Sequence, residues 1–187
     1  MATGVPILDT TLQAALMSAA SNVVAQSLAI YQHKDFSAID SAAFVYFTVF
    51  ALLSTPPNFL WQEWLENSFP AIKKKNVGNL DKGLVPSQKG DRLSVSNTAI
   101  KFLLDQSLGA GVNTMLFIVV MGMFKGLEWA QILDTLQRDF WQMILASYKV
   151  WPFVCLLNLV VVPFEYRMLV GNTVGFGWSV YLSLFQL

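Results

Sequence analysis

Five stretches of the chain are strongly apolar and free of Asp, Glu, Lys and Arg: 10–32, 41–62, 106–124, 150–164 and 168–187. A helix needs roughly 20 such residues to cross about 30 Å of hydrocarbon, so the pattern predicts membrane-spanning helices. The fourth stretch is short unless it extends back through Phe140, Trp141, Met143, Ile144, Leu145 and Ala146, which places Lys149 inside the span. The expectation is an all-α, polytopic membrane helix bundle. It has about four transmembrane helices, with the N-terminal helix a further candidate span, and forms one integral membrane domain over 1–187.

Polar positions within these stretches are patterned. Ala15, Ala19, Asn22, Gln26 and Ala29 recur at helical spacing, a small and polar stripe suited to close helix packing or to a polar cavity. Pro56 and Pro57 remove two backbone donors, so the second helix should kink or unwind there, with Trp61 and Trp64 marking the membrane boundary. Lys101 and Asp105 lie one turn apart; Asp105 can pair with Lys101 along its own helix or with Lys149 across an interface. Residues 125–139 read as a short amphiphilic connection. After the turn Pro163-Phe164-Glu165-Tyr166-Arg167 the last two spans should form an antiparallel hairpin, Arg167 capping the turn and Gly171 and Gly175 forming its close-packing face.

Composition narrows the class. Of 187 residues, 55% are hydrophobic and 13% charged, with formal net charge zero, too little polar surface for an ordinary soluble domain of this size. The charge is concentrated at about 66–92, a polar, basic-biased loop that the positive-inside rule assigns to the cytosolic or matrix side. Its Lys73-Lys74-Lys75 run suits anionic headgroups better than nucleic acid. One cysteine, Cys155, and one histidine, His33, permit neither a disulfide frame nor a His-based metal site or triad. His33 beside Lys34 and Asp35 reads as a solvated interfacial side chain. The N-terminus lacks a basic region, which disfavours a secretory signal or mitochondrial presequence. No metal, cofactor or enzymatic motif is expected.

The C-terminal third carries a specific pattern: Lys149, Trp151, Pro152, Asn158, Pro163, Arg167, Trp178, Tyr181, Leu182 and Ser183. Together with Pro56, Trp61, Leu65, Gln26 and the Asp105-Gln106 pair, it resembles the family named after the twenty-two-kilodalton peroxisomal membrane protein and its mitochondrial inner-membrane relative. There are departures: Cys155 stands for a glutamine, Leu159 for a phenylalanine, Thr55 and Phe59 for a glycine and a histidine, and Gly111 where proline is common. The resemblance implies a bundle of about four transmembrane helices in a peroxisomal or mitochondrial inner membrane, with members implicated as weakly selective channels for small solutes.

Polar and ionisable residues inside a membrane default to function. Asn22, Gln26, Asp105, Gln106, Asn113, Lys149, Asn158 and Arg167 are therefore candidates for lining a pore or for locking helices together, with Asn158 available to bond backbone freed by Pro152. The leading expectation is a channel for small hydrophilic metabolites, acting alone or as a homo-oligomer in the lipid bilayer. The alternative is a non-conducting scaffold that self-assembles or recruits partners. Lacking a presequence, the chain is assigned to the peroxisomal membrane ahead of the mitochondrial inner membrane.

Overall fold

The computed structural model describes residues 7–33, 40–70, 72–73 and 92–185. The Lys73-Lys74-Lys75 run beyond its first backbone position, the remainder of the basic loop and Lys34-Asp35 lie outside the described residues, as do the side chains of His33, Tyr181, Leu182 and Ser183. Seven α-helices are described: α1 (Ile7–His33), α2 (Ser41–Ser68), α3 (Val95–Leu104), α4 (Ala110–Phe124), α5 (Trp129–Ser147), α6 (Trp151–Val160) and α7 (Phe164–Phe185). A π-helical turn, Asp105–Gly109, joins α3 to α4. The all-α expectation holds, apart from a two-residue antiparallel pairing of Ile72–Lys73 with Arg92–Leu93 at the base of the loop.

Two described helices are long and apolar enough to cross a membrane, Ser41–Ser68 and Val95–Phe124; α5 and α6 pass that test only as a pair bent by 52°. The side-chain distribution is that of a protein in lipid. Buried positions include Thr10, Ser21, Ser54, Thr55, Thr98, Lys101 and Arg167, while Leu8, Leu12, Leu16, Val112 and Phe153 are exposed. Water would reverse that preference; hydrocarbon rewards it. Several hydroxyls inside helices are satisfied locally: Thr48, Thr55 and Thr173 each donate to the carbonyl four residues back.

α1 is the packing hub, held against both α2 and α7. Its buried row is Ala14, Ala15, Ser21 and Ala25, with Ser18 between α1 and α2. The Ser18 hydroxyl donates to the Phe47 carbonyl and the Ser21 hydroxyl to the Phe176 carbonyl, both at 3.0 Å. Small side chains let backbones come this close. The packing row thus lies one residue around the helix from the predicted stripe, leaving Asn22 and Gln26 at its edge.

Several expectations are corrected. α2 runs unbroken through Pro56 and Pro57, so it does not unwind there, and it continues past Trp61 and Trp64 to Ser68, taking Glu66 into the helix. Residues 129–139 are helix, not connection. Gly126, at φ 69°, ends α4 in a Schellman turn, with Leu127 N–H bonded to the Gly122 carbonyl and Gly126 N–H to the Met123 carbonyl. A capping box between Glu128 and Gln131 then starts α5.

The fourth span is broken, because Lys149 sits in the turn between α5 and α6. At ten residues, roughly 15 Å, α6 is too short to cross alone, so the span before α7 exists only as the bent α5–α6 pair and not as one straight helix. Gly171 faces nothing within 4 Å and Gly175 meets only the Trp151 ring, at 3.8 Å. The tight α7 contact is instead made by α1, whose serines and alanines supply the small surface.

Candidate functional site

Three helices converge at the end of the bundle where α2 stops and α3 begins. Glu66, in the last turn of α2, accepts from Lys101 of α3 at 2.8 Å and from Arg167 of α7 at 2.5 Å, both on the same carboxylate oxygen. The Lys101 side chain is fully buried and Arg167 nearly so, while Glu66 keeps partial exposure. Such charges persist away from water only when paired and hydrogen-bonded.

A second cluster adjoins it one helical turn along. Asp105 opens the π turn and accepts from Gln62 Nε2 at 2.7 Å, from Gln106 Nε2 at 3.2 Å and from Trp61 Nε1 at 3.3 Å. The Cys155 thiol of α6 faces Asp105 and Gln106. A π turn widens the helix and re-aims side chains, which turns Asp105 toward α2. Gly109 makes room for this: a Cβ there would lie 3.0 Å from Trp61 Nε1 and 3.4 Å from Asp105 Oδ1.

The register is simple. Moving four residues along α2, from Gln62 to Glu66, is answered by moving four back along α3, from Asp105 to Lys101. Antiparallel helices carrying partners at i and i+4 match in this way. Asp105 therefore pairs neither with Lys101 nor with Lys149. Lys101 is drawn to Glu66, and Lys149, in the α5–α6 turn, is exposed.

Arg167 also organises the last turn. Its Nε donates to the Asn158 carbonyl at 2.9 Å and the Val162 carbonyl at 3.2 Å, capping α6, while Asn158 Nδ2 donates back to the Arg167 carbonyl at 3.3 Å. Cations at a helix C-terminus satisfy its unpaired carbonyls and complement its dipole. Asn158 thus bonds across the Pro163 turn and not to backbone freed by Pro152, which lies in the first turn of α6, where proline is well tolerated. Trp151 is half-buried against Gly175.

Gln26 donates to Asn22 Oδ1 at 2.6 Å and to the Asp40 carbonyl at 2.7 Å, and accepts from Asp40 N–H at 3.1 Å. These two amides tie the start of α2 to α1 and border a groove of about 280 Å³ with Ile30, Ser41 and Phe44. They lie far along α1 from Thr10, which lines a small cavity of about 10 Å³ beside Gln62 and Arg167. Asn113 is exposed on α4. The eight candidate residues thus divide: Asp105, Gln106, Asn158 and Arg167 gather at one end, Asn22 and Gln26 form a separate site, and Asn113 and Lys149 face outward.

The pattern along the sequence missed Glu66, which reads as the first residue of a polar loop, and misassigned Lys101. The signal was the pair of i, i+4 motifs, Gln62/Glu66 and Lys101/Asp105. Three buried acceptors, Thr98 Oγ1, Gln106 Oε1 and Asn158 Oδ1, have no hydrogen-bond partner among the described residues. Among the described residues no three His, Cys, Asp or Glu side chains stand together as a metal site requires.

An apolar exterior, long helices and a buried network of charges define an integral α-helical membrane protein. The profile of the Mpv17 / PMP22 family matches residues 122–183. A "PXMP2/4 family protein 3" of Dictyostelium discoideum is 31% identical over 96% of this chain and 83% of its own length. "Protein sym1" of Schizosaccharomyces pombe is 28% identical over 96% of this chain and 84% of its own. The "Mitochondrial inner membrane protein Mpv17" of Bos taurus is 36% identical over 50% of this chain and 55% of its own. The chain belongs to the Mpv17/PMP22 family. No solved structure matches it significantly.

Proposed function

We propose that this organelle-membrane protein forms a narrow, water-filled path for small hydrophilic metabolites and carries no enzymatic chemistry. The observation that carries this reading is the gathering of Glu66, Lys101, Asp105 and Arg167 at one end of an otherwise apolar bundle. A plain anchor has no use for four ionisable groups there, and their burial is costly. The unpaired acceptors of Thr98, Gln106 and Asn158 add capacity to bind water or a hydroxylated solute. Lipid bilayer and small solutes are the partners this reading requires.

The mitochondrial inner membrane is the proposed location. The relatives of Bos taurus and Homo sapiens are both named as mitochondrial inner membrane proteins, which favours that membrane over the peroxisomal one. A tagged copy imaged against markers for both organelles decides between them.

Planar-bilayer recordings of the purified full chain test the path. Conductance is expected in the wild type and is altered by Asp105→Ala and Arg167→Ala. A silent wild type, or a conductance indifferent to both substitutions, rejects the channel. A scaffold is the second reading, favoured by the open surface beside Gly171; it predicts a silent wild type that still assembles.

A further inference from the structure

The outer face of α5 is polar at a depth where lipid would be its neighbour. α5 runs antiparallel to the π turn and α4 over its whole length. Near one end a Cβ on Gly122 would lie 2.8 Å from Ile132, further along one on Gly111 would lie 3.9 Å from Phe140, and at the other end the Tyr148 hydroxyl donates to the Gln106 carbonyl. Because Val95–Phe124 is a membrane-spanning candidate, α5 lies beside it within the same slab. Ile132 and Ile144 are buried.

The opposite side presents Gln131, Asp134, Arg138 and Gln142, all exposed and spaced three or four residues apart on one stripe. The Arg138 side chain is 64% exposed, and its ionic partner is its own neighbour Asp139, with Nε to Oδ1 at 2.8 Å. Arg138 lies between Ile132, which packs at Gly122, and Phe140, which packs at Gly111, both within the Val95–Phe124 span, a depth from which lipid-facing charges are expelled.

We infer that this stripe faces a second copy of this chain across a hydrated seam, so that the water path of the proposed channel continues from the Asp105–Gln106 end of the bundle, where Tyr148 of α5 meets Gln106, between copies along α5. The inference rests on the channel reading for the use of the seam. Two observations select the occupant. The stripe carries both signs one turn apart, Asp134 and Arg138, so the same face on another copy offers an acid for every base. The exposed Trp141 and Leu145 beside it supply an apolar rim. Within one chain, the cavity beside the ion cluster holds about 10 Å³, room for about one water and no more.

The test uses the full chain in liposomes with Cys155→Ala as background. Single cysteines are placed by Gln131→Cys, Asp134→Cys, Arg138→Cys and Gln142→Cys. Val112→Cys, also exposed on α4 at the same depth, is the lipid-facing control. Two or more stripe cysteines are expected to cross-link between copies with a short bis-maleimide and to react at least tenfold faster than the Val112→Cys control with a charged thiol reagent. Cross-linking no better than in that control overturns the second copy. Cross-linking without charged-reagent labelling overturns the hydrated seam. Conductance without either leaves the channel standing and removes this inference. Cross-linking and labelling in a silent protein keep the seam and remove the channel.

Discussion

Glu66 and Arg167, 101 positions apart in sequence, meet at 2.5 Å, and Lys101 reaches the same carboxylate oxygen at 2.8 Å. One acid thereby holds α2, α3 and α7 together. Removing it leaves two cations in a site with little access to water. Glu66→Ala should destabilise the bundle by about 3 kcal/mol, the usual cost of orphaning a buried charge. Lys101→Met should cost much less, because Arg167 still answers Glu66. Thermal unfolding of the purified protein in one fixed detergent checks both; equal losses would refute the shared-acid arrangement.

Gly109 is defined by what crowds it. Gly109→Ala puts a methyl group 3.0 Å from Trp61 Nε1, so the indole must shift and its hydrogen bond to Asp105 weaken. The expected loss is about 1–3 kcal/mol, typical of overpacking. Combining it with Trp61→Phe should cost less than the sum of the two single changes. Strict additivity in the same unfolding assay would show that the two residues do not touch.

Asp105 and Lys149 should behave as independent residues. Asp105→Ala strands Gln62 and frees the Trp61 ring, lowering stability by about 1–3 kcal/mol. Lys149→Ala, at an exposed turn, should stay within about 0.5 kcal/mol of wild type. A double-mutant cycle with a coupling above about 1 kcal/mol would restore the ion pair that the sequence permits.

The glycines of α7 and the serines of α1 separate two packing schemes. Gly171→Ala meets no neighbouring atom and should be neutral or mildly stabilising. Ser21→Leu pushes a branched side chain into the seam where its hydroxyl now bonds Phe176, and should loosen α1 from α7. Protease sensitivity of α1 in detergent reads the difference. The reverse order of effects would return the close contact to the Gly171/Gly175 face.

Gly126 ends α4 with a positive φ that side-chain-bearing residues resist. Gly126→Ala should cost about 1 kcal/mol and Gly126→Asn less, since asparagine tolerates that region better. Comparing the two melting temperatures tests whether the turn holds α5 against α4.

Much was decided along the chain itself. Apolar runs long enough to span lipid, too few charges to cover a soluble surface and a patterned C-terminal third determined an all-helical membrane protein of this family, because membrane solvation acts on each segment separately. Local rules also sufficed for Arg167 at the Pro163 turn, and they came within one residue of the small-residue face of α1. They failed where two segments compete for one partner. Lys101 and Asp105 satisfy the spacing of an intrahelical pair, yet α2 brings Glu66 to one and Gln62 to the other. The charges of 128–139 resemble a loop until α4 covers the apolar side of α5. Burial of an ion depends on what stands within a few ångströms of it, and only the tertiary fold sets those neighbours.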